Sequence, residues 1–291
     1  GAAGGAGVLH SARRIVPLAW PVFVGQVAVL AFSTVDTLLV ARHSALDLAA
    51  LAVGSAAYIT VFIGFMGVVL AVGPIAGQLY GAQRHAEAGH QLHQAAWVAL
   101  GLAAFGGLLL AFPWPFLALS RATPEVEPRV RGYLLALAFS LPAALLFSAY
   151  RGFNTALARP KAVMALQLAG LAFKIPLSAL LVFGVALPMP VGELRVPALG
   201  VVGCGIATCI VMWLQALAAF FVLRRDAFYA PFALRGRGLH APDAAALRKQ
   251  LRLGIPMGGS ILIEVTGFSF MAIFIARLGT TPVAGHQIAA N

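Results

Sequence analysis

The chain has 291 residues, 61% of them hydrophobic and only 10% charged, with a mean hydropathy of +0.92 and a formal net charge of +11. Soluble domains carry about 25% charged residues, so a soluble fold is excluded. The basic excess does not point to nucleic acid, because its distribution along the chain follows membrane topology.

The N-terminal stretch GAAGGAGVLHSARR lacks a cleavage-site pattern behind a short apolar core. A removed signal peptide is therefore not expected, and the first apolar segment is expected to stay in place. It runs over 15–41 and holds one charge, Asp36, in the stretch FSTVDTLLVA. Further spans are predicted at 48–80, 91–118, 132–157, 162–186, 198–223 and 253–276, each long enough to cross a hydrocarbon core of ~30 Å as a helix. Lys174 lies about midway through the fifth span and Glu264 within the seventh. An eighth span begins near Thr281 and is cut off at Asn291, so the chain reads as a fragment of a longer protein.

With the N-terminus placed in the cytoplasm, thirteen Lys and Arg fall on inner segments and six on outer ones. This positive-inside asymmetry predicts an inner-membrane protein with a cytoplasmic N-terminus. Cys204 and Cys209, five apart in the sixth span, read as small packing residues with no redox message. The longest inner connection, 224–252, contains RGRGLHAPDAAALRKQLR, a turn followed by a short amphipathic helix with Asp243 at its start. It is expected to lie on the anionic inner leaflet as a linker between two membrane units.

A shift of 235 residues lays Leu18 and Pro21 on Leu253 and Pro256, Ala41-Arg42 on Ala276-Arg277, and Ala49 on Ala284. The seventh span thus restarts the first after six spans, the pattern of a parallel six-helix repeat. The expected fold is an all-α membrane protein. It comprises a six-helix lobe (1–223), a cytoplasmic linker (224–252) and the opening of a second, parallel-repeat lobe (253–291).

Of nine acidic residues, Asp36 and Glu264 are the two inside spans. The repeat offset places Glu264 over Val29, about two turns before Asp36 on an equivalent helix face. Carboxylates inside a membrane normally face a bundle interior or a watery cavity and mark an ion or substrate route. Both acids are therefore expected to line one groove between the lobes, where they can hold a proton or a cation. Ser33 and Ser260 stand one turn before them as accessory oxygens, although membrane serines more often bond their own backbone. Lys174 is expected to pair with Asp36 in one state and to be released when Asp36 is protonated. Pro21 and Pro256 each remove a backbone hydrogen bond and are candidate hinges.

His85, His90 and His93 in RHAEAGHQLHQ have a spacing that can bind metal on a helix, but the reading is a solvated inner loop with no metal site. The glycines of GVVGCG read as helix-packing residues. Neither a Walker motif, a Ser-His-Asp pattern nor a paired Asp-rich motif is present, so the sequence gives no support for an enzyme or for a bound cofactor.

These residues resemble the multidrug and toxic compound extrusion (MATE) family, in its NorM-like bacterial branch. VDTLLVA (35–41) is similar to the family's first-helix segment, with Asp36 at the functional aspartate and Pro21 at the proline fifteen residues earlier. GQLYGAQ (77–83) resembles the end of the second helix, and YRGFNTALARPK (150–161) the loop after the fourth. GIPMGGSILIEVTGFSFMAIFIARLGTTPVAGHQIAAN (254–291) is the most specific match, with Glu264 at the seventh-helix glutamate and Gln287 in the start of the eighth.

The resemblance implies a twelve-helix transporter of two lobes, monomeric in the bilayer. It would export cationic or amphipathic organic compounds in exchange for Na+ or H+ by alternating access. Asp36, Glu264 and Gln287 would line the cavity. Ser178 stands where the family often has Asn, which weakens a cation site built on that amide. The alternatives are a lipid-linked oligosaccharide flippase of the same broad fold, which would want basic residues in its cavity, and a non-transporting membrane scaffold.

Overall fold

The computed structural model describes residues 2–234 and 239–276. Its elements in order are α1 (Ala2–His43), α2 (Ala45–Val69), α3 (Val72–Gly81), α4 (His85–Ala111), α5 (Trp114–Ser120) and α6 (Glu127–Ala156). They continue with α7 (Pro160–Phe183), a hairpin of β1 (Val185–Met189) and β2 (Gly192–Val196), α8 (Val201–Arg225), a 3-10 turn at Ala227–Phe232, and α9 (Ala244–Ala276). Among the described residues, α1, α2 with α3, α4, α6, α7 and α8 make six units long and apolar enough to cross a membrane. The predicted seventh span lies within α9, whose first turns carry Arg248, Lys249 and Arg252. The predicted start of the eighth span lies outside the described residues.

Proline accounts for two breaks inside segments predicted as single spans. Pro74 has no N–H for the carbonyl of Leu70, and its ring clashes with that carbonyl in a continuous helix. The chain accordingly leaves α2 at Leu70, whose carbonyl takes the N–H of Gly73 at 3.0 Å instead, and restarts as α3. Pro113 and Pro115 separate α5 from α4 in the same way. Helices α1, α7 and α9 run on through Pro21, Pro176 and Pro256. The β1–β2 hairpin, antiparallel from Val185 opposite Val196 to Met189 opposite Gly192, is a departure from the expected all-α chain. It fills the connection between α7 and α8, where Pro188 and Pro190 exclude a helix.

Helix α6 is the centre of the bundle and packs against α2, α4 and α8; α7 packs on α8 and on α1. Leu134, Leu137, Leu141, Leu145 and Phe153 of α6 are buried in the main apolar core. Large apolar side chains such as Leu30, Phe105, Leu108, Phe139 and Ile263 point outward. In a bundle this apolar, such a surface is matched to lipid tails.

Helix α9 lies on α2 and touches α4. The contact is backbone to backbone: a Cβ added at Gly67 would stand 2.6 Å from the Cα of Gly258, and one at Gly258 would stand 2.5 Å from the carbonyl oxygen of Gly64. Small residues give membrane helices this close approach. The helical part of the expected linker is continuous with the seventh span, one helix running from Ala244 to Ala276 through Pro256. At the end of the bundle where α1 meets α2, Ser44 caps α2 and Asp47 is buried in its first turn. The carboxylate of Asp47 accepts from Arg129 of α6 and lies 3.4 Å from Nε2 of His43. Gly200 opens α8 against this carboxylate with φ +62, a conformation and a proximity that exclude a side chain.

Candidate intramembrane charge site

Three helices bring polar side chains together inside the bundle. Helix α1 supplies Asp36, and Phe32 one turn earlier on the same face. From α7 come Lys174 and Ser178, and from α8 Cys204 and Thr208, each pair four residues apart. Because α7 packs between α1 and α8, the three faces converge. Lys174 and Ser178 are completely buried, and Asp36 is 7% exposed.

The Lys174 ammonium donates to Oδ2 of Asp36 at 2.8 Å and to Oγ1 of Thr208 at 2.5 Å. It also sits 3.8 Å from the centre of the Phe32 ring. Two hydrogen bonds and an aromatic face thus satisfy an ammonium with three N–H groups. Ser178 and Cys204 lie beside the Asp36 carboxylate. Oδ1 of Asp36 and Oγ of Ser178 nevertheless complete no hydrogen bond, although both are buried.

A buried pair of this kind holds together because either charge alone would be far more costly in a poorly polarisable interior. Coulomb attraction and the Thr208 and Phe32 contacts offset the loss of hydration. The arrangement is electrically neutral and retains one buried carboxylate oxygen with unused lone pairs. A proton added there removes the attraction that holds Lys174.

Ser33 is exposed, and with Oδ2 of Asp36 held by Lys174 and Oδ1 completing no hydrogen bond, the Ser33 side chain does not join that carboxylate. Pro21 is buried on α1 and Pro256 exposed on α9.

Glu264 and Ser260 are exposed on α9 in this chain. The two membrane acids therefore do not meet among the described residues: Asp36 is enclosed by α1, α7 and α8, whereas α9 packs on α2. The docking face of α9 is set by Gly254, Gly258, Ile261 and Leu262, and Glu264 falls off that face. The position that the repeat offset pairs with Asp36 is Met271, also exposed. Gln287 lies outside the described residues.

Thr208 and Phe32 belong to the site although the sequence did not single them out, and Cys204 was read there only as a packing residue. The signal for Phe32 is its i−4 spacing from Asp36. A hydroxyl opposite a lysine on another helix leaves no local signal.

The histidines read as a solvated loop lie instead on the first turns of α4, where His90 and His93 pack against His240; His93 is 8% exposed. The loop expectation failed because the chain from His240 to Asp243 folds back over that face of α4.

The model of the MatE family matches residues 21–180, and the chain belongs to this family. It is 41% identical over 280 residues to the probable multidrug resistance protein NorM of Aromatoleum aromaticum, covering 96% of this chain and 58% of that protein. It is 34% identical over 281 residues to the probable multidrug resistance protein NorM of Neisseria meningitidis serogroup B, covering 96% and 59%. The chain thus spans less than two thirds of the length of these relatives.

Its fold is that of the MATE transporter VcmN of Vibrio cholerae in the bent form, with a TM-score of 0.80 at 18% identity, over 96% of this chain and 60% of that one. The eukaryotic MATE transporter AtDTX14 matches with a TM-score of 0.77 at 17% identity, over 94% and 58%.

Proposed function

We propose that the whole protein exports cationic or amphipathic organic compounds across the bacterial inner membrane by alternating access, in exchange for a coupling cation. The relatives' description as multidrug resistance proteins supports the substrate class, and the thirteen-to-six distribution of basic residues supports a cytoplasmic N-terminus. Residues 1–223 form one lobe, 224–252 the linker and 253–291 the opening of a second. Glu264 and Gln287 line the cavity completed by the rest of the protein.

The observation that carries the reading is the buried Asp36–Lys174 pair. A structural scaffold gains little from two charges where apolar residues of similar volume do as well or better. A transporter gains an element whose occupancy by a cation changes the packing of three helices. The geometry favours H+ as the coupling ion. A proton can be added to the free Oδ1 of Asp36 without displacing anything, whereas Na+ has to displace the Lys174 ammonium. A flippase reading, which wants basic residues facing its cavity, finds Lys174 neutralised and fully buried.

The test is efflux by the full-length protein in vesicles, driven by a pure pH gradient and then by a pure Na+ gradient. Proton coupling predicts transport in the first arm alone; transport in the second alone overturns that choice of ion, and transport in neither overturns the antiporter. Asp36→Asn should insert normally and abolish efflux.

A further inference from the structure

The β1–β2 hairpin joins two membrane-crossing helices, α7 (Pro160–Phe183) and α8 (Val201–Arg225). Gly184 alone separates the end of α7 from β1. The 24 residues of α7 make about 36 Å of helix at 1.5 Å per residue, against a hydrocarbon core of ~30 Å. Helix α7 is thus little longer than the core it crosses, and the hairpin starts close to where the helix leaves the hydrocarbon.

The register sorts the hairpin side chains into two unlike faces. Residues directly opposite in an antiparallel ladder share a face, as do alternate residues along each strand. Val196 stands opposite Val185, which puts Val185, Leu187, Met189 and Val196 on one face. Arg195 stands opposite Ala186 and Glu193 opposite Pro188, which puts these four on the other. The second face neutralises itself, because Nη2 and Nε of Arg195 donate to Oε2 of Glu193 at 2.9 and 3.0 Å. The first face carries no polar side chain, yet Leu187 is 48% and Met189 55% exposed, and Val191 in the turn is fully exposed. Neither strand packs extensively on a helix; the main contact of each is the other strand.

We propose that the hairpin is a membrane anchor at the end of the bundle remote from the linker. It lies flat, with Leu187 and Met189 sunk into the headgroup–acyl boundary and the Glu193–Arg195 pair turned to water.

Two opposing costs fix that depth. A lone two-stranded hairpin is at best marginally stable in water, and it gains stability when an apolar face is covered. The hydrocarbon core excludes it for a different reason. The outer edges of both strands present backbone N–H and C=O groups with no strand beside them, and hydrocarbon cannot satisfy these. The interface meets both demands: the apolar side chains reach acyl chains while the strand edges keep water and headgroups as partners.

The surroundings are of the same kind. Phe173, Ile175 and Phe183 are exposed along α7, so the apolar face of the hairpin continues a lipid-facing surface. At the same end of the bundle, where α4 gives way to α5, Phe112 and Trp114 are each 71% exposed. Aromatic side chains placed in this way mark a membrane–water boundary. Glu193 and Arg195 are the two charged residues of the hairpin, so it has no net charge and the contact needs no anionic lipid.

The experiment places one nitroxide at a time on the full-length protein in nanodiscs of phosphatidylcholine alone. The label is carried by Leu187→Cys, Met189→Cys, Ala186→Cys or Arg195→Cys, with the native cysteines, Cys204 and Cys209 among them, replaced by alanine. All four labelled positions are exposed, so the label has room. Power saturation compares collisions with oxygen, which concentrates among acyl chains, and with a water-soluble nickel chelate. Labels at 187 and 189 are expected about 5–10 Å into the boundary, with oxygen collisions dominant, and labels at 186 and 195 in water, with nickel collisions dominant. Nickel dominance at all four positions puts the hairpin in water and overturns the anchor. Oxygen dominance at all four puts it inside the hydrocarbon and overturns the flat placement. Exclusion of both reagents at 187 and 189 also overturns the anchor, because protein then covers the apolar face, whether the rest of the chain or a second copy.

Discussion

The ammonium of Lys174 lies 2.8 Å from Oδ2 of Asp36, a residue 138 positions earlier in the chain, with no exposed surface of its own. This is the contact through which the first, fifth and sixth membrane segments share one electrostatic unit, and its energetics make it testable from either side.

Lys174→Met leaves Asp36 buried without its partner and should destabilise the chain by about 3–5 kcal/mol. Adding Asp36→Asn removes the uncompensated charge, so the double variant should recover most of that loss. Thermal unfolding in detergent across the wild type, both single variants and the double variant measures the coupling. Losses that simply add would mean that the two charges do not act on each other.

Thr208→Val replaces the hydroxyl that accepts from Lys174 with a methyl of nearly the same shape. Loss of a hydrogen bond to a charged group costs about 1.5–3 kcal/mol, so stability should fall by that amount and efflux by the full-length protein should drop about tenfold or more. Thr208→Ser should retain both properties. Equal behaviour of the Val and Ser variants would remove the hydroxyl from the site.

Gly258→Leu should drive α9 away from α2, because even a Cβ at this position stands 2.5 Å from the Gly64 carbonyl oxygen. Backbone cannot yield as a side-chain end does, so the expected cost is about 1–3 kcal/mol or more. A cross-link engineered between the two helices should form in the wild type and fail in the variant.

Gly200→Ala is expected to cost about 1–3 kcal/mol through its positive φ alone. The added methyl also meets Oδ2 of Asp47, which pushes on the Arg129 contact. The melting temperature should fall, and Gly200→Asn, which tolerates positive φ better but keeps the clash, should not restore it.

Much of the bundle is legible in the sequence because burial in lipid forces long uncharged runs, and the gaps between charges mark where helices must be. The breaks at Leu70 and Phe112 were written in Pro74, Pro113 and Pro115, yet an apolar run hides them, since proline is common in membrane helices. Asp36 and Lys174 stand out because each is a lone charge in an apolar span. Their meeting depends on α7 lying between α1 and α8, which is a property of packing. The exposed setting of Glu264 depends on which face of α9 its glycines dock, and the dock of His240 on His90 and His93 joins parts of the chain some 150 residues apart. Neither relationship leaves a local periodicity to read.

The unbroken course of α9 has one mechanical consequence. From Ala244, next to the histidines, to Glu264 is about 30 Å of helix at 1.5 Å per residue, with no loop between them and one proline, Pro256, two residues before Gly258. The helix is held against α2 from Gly254 to Leu262, so its polar end and its acid-bearing end project from one clamped stretch. A displacement of the polar end at the surface reaches the acid-bearing end through that clamped stretch, with Pro256 inside it as the point where the helix can bend.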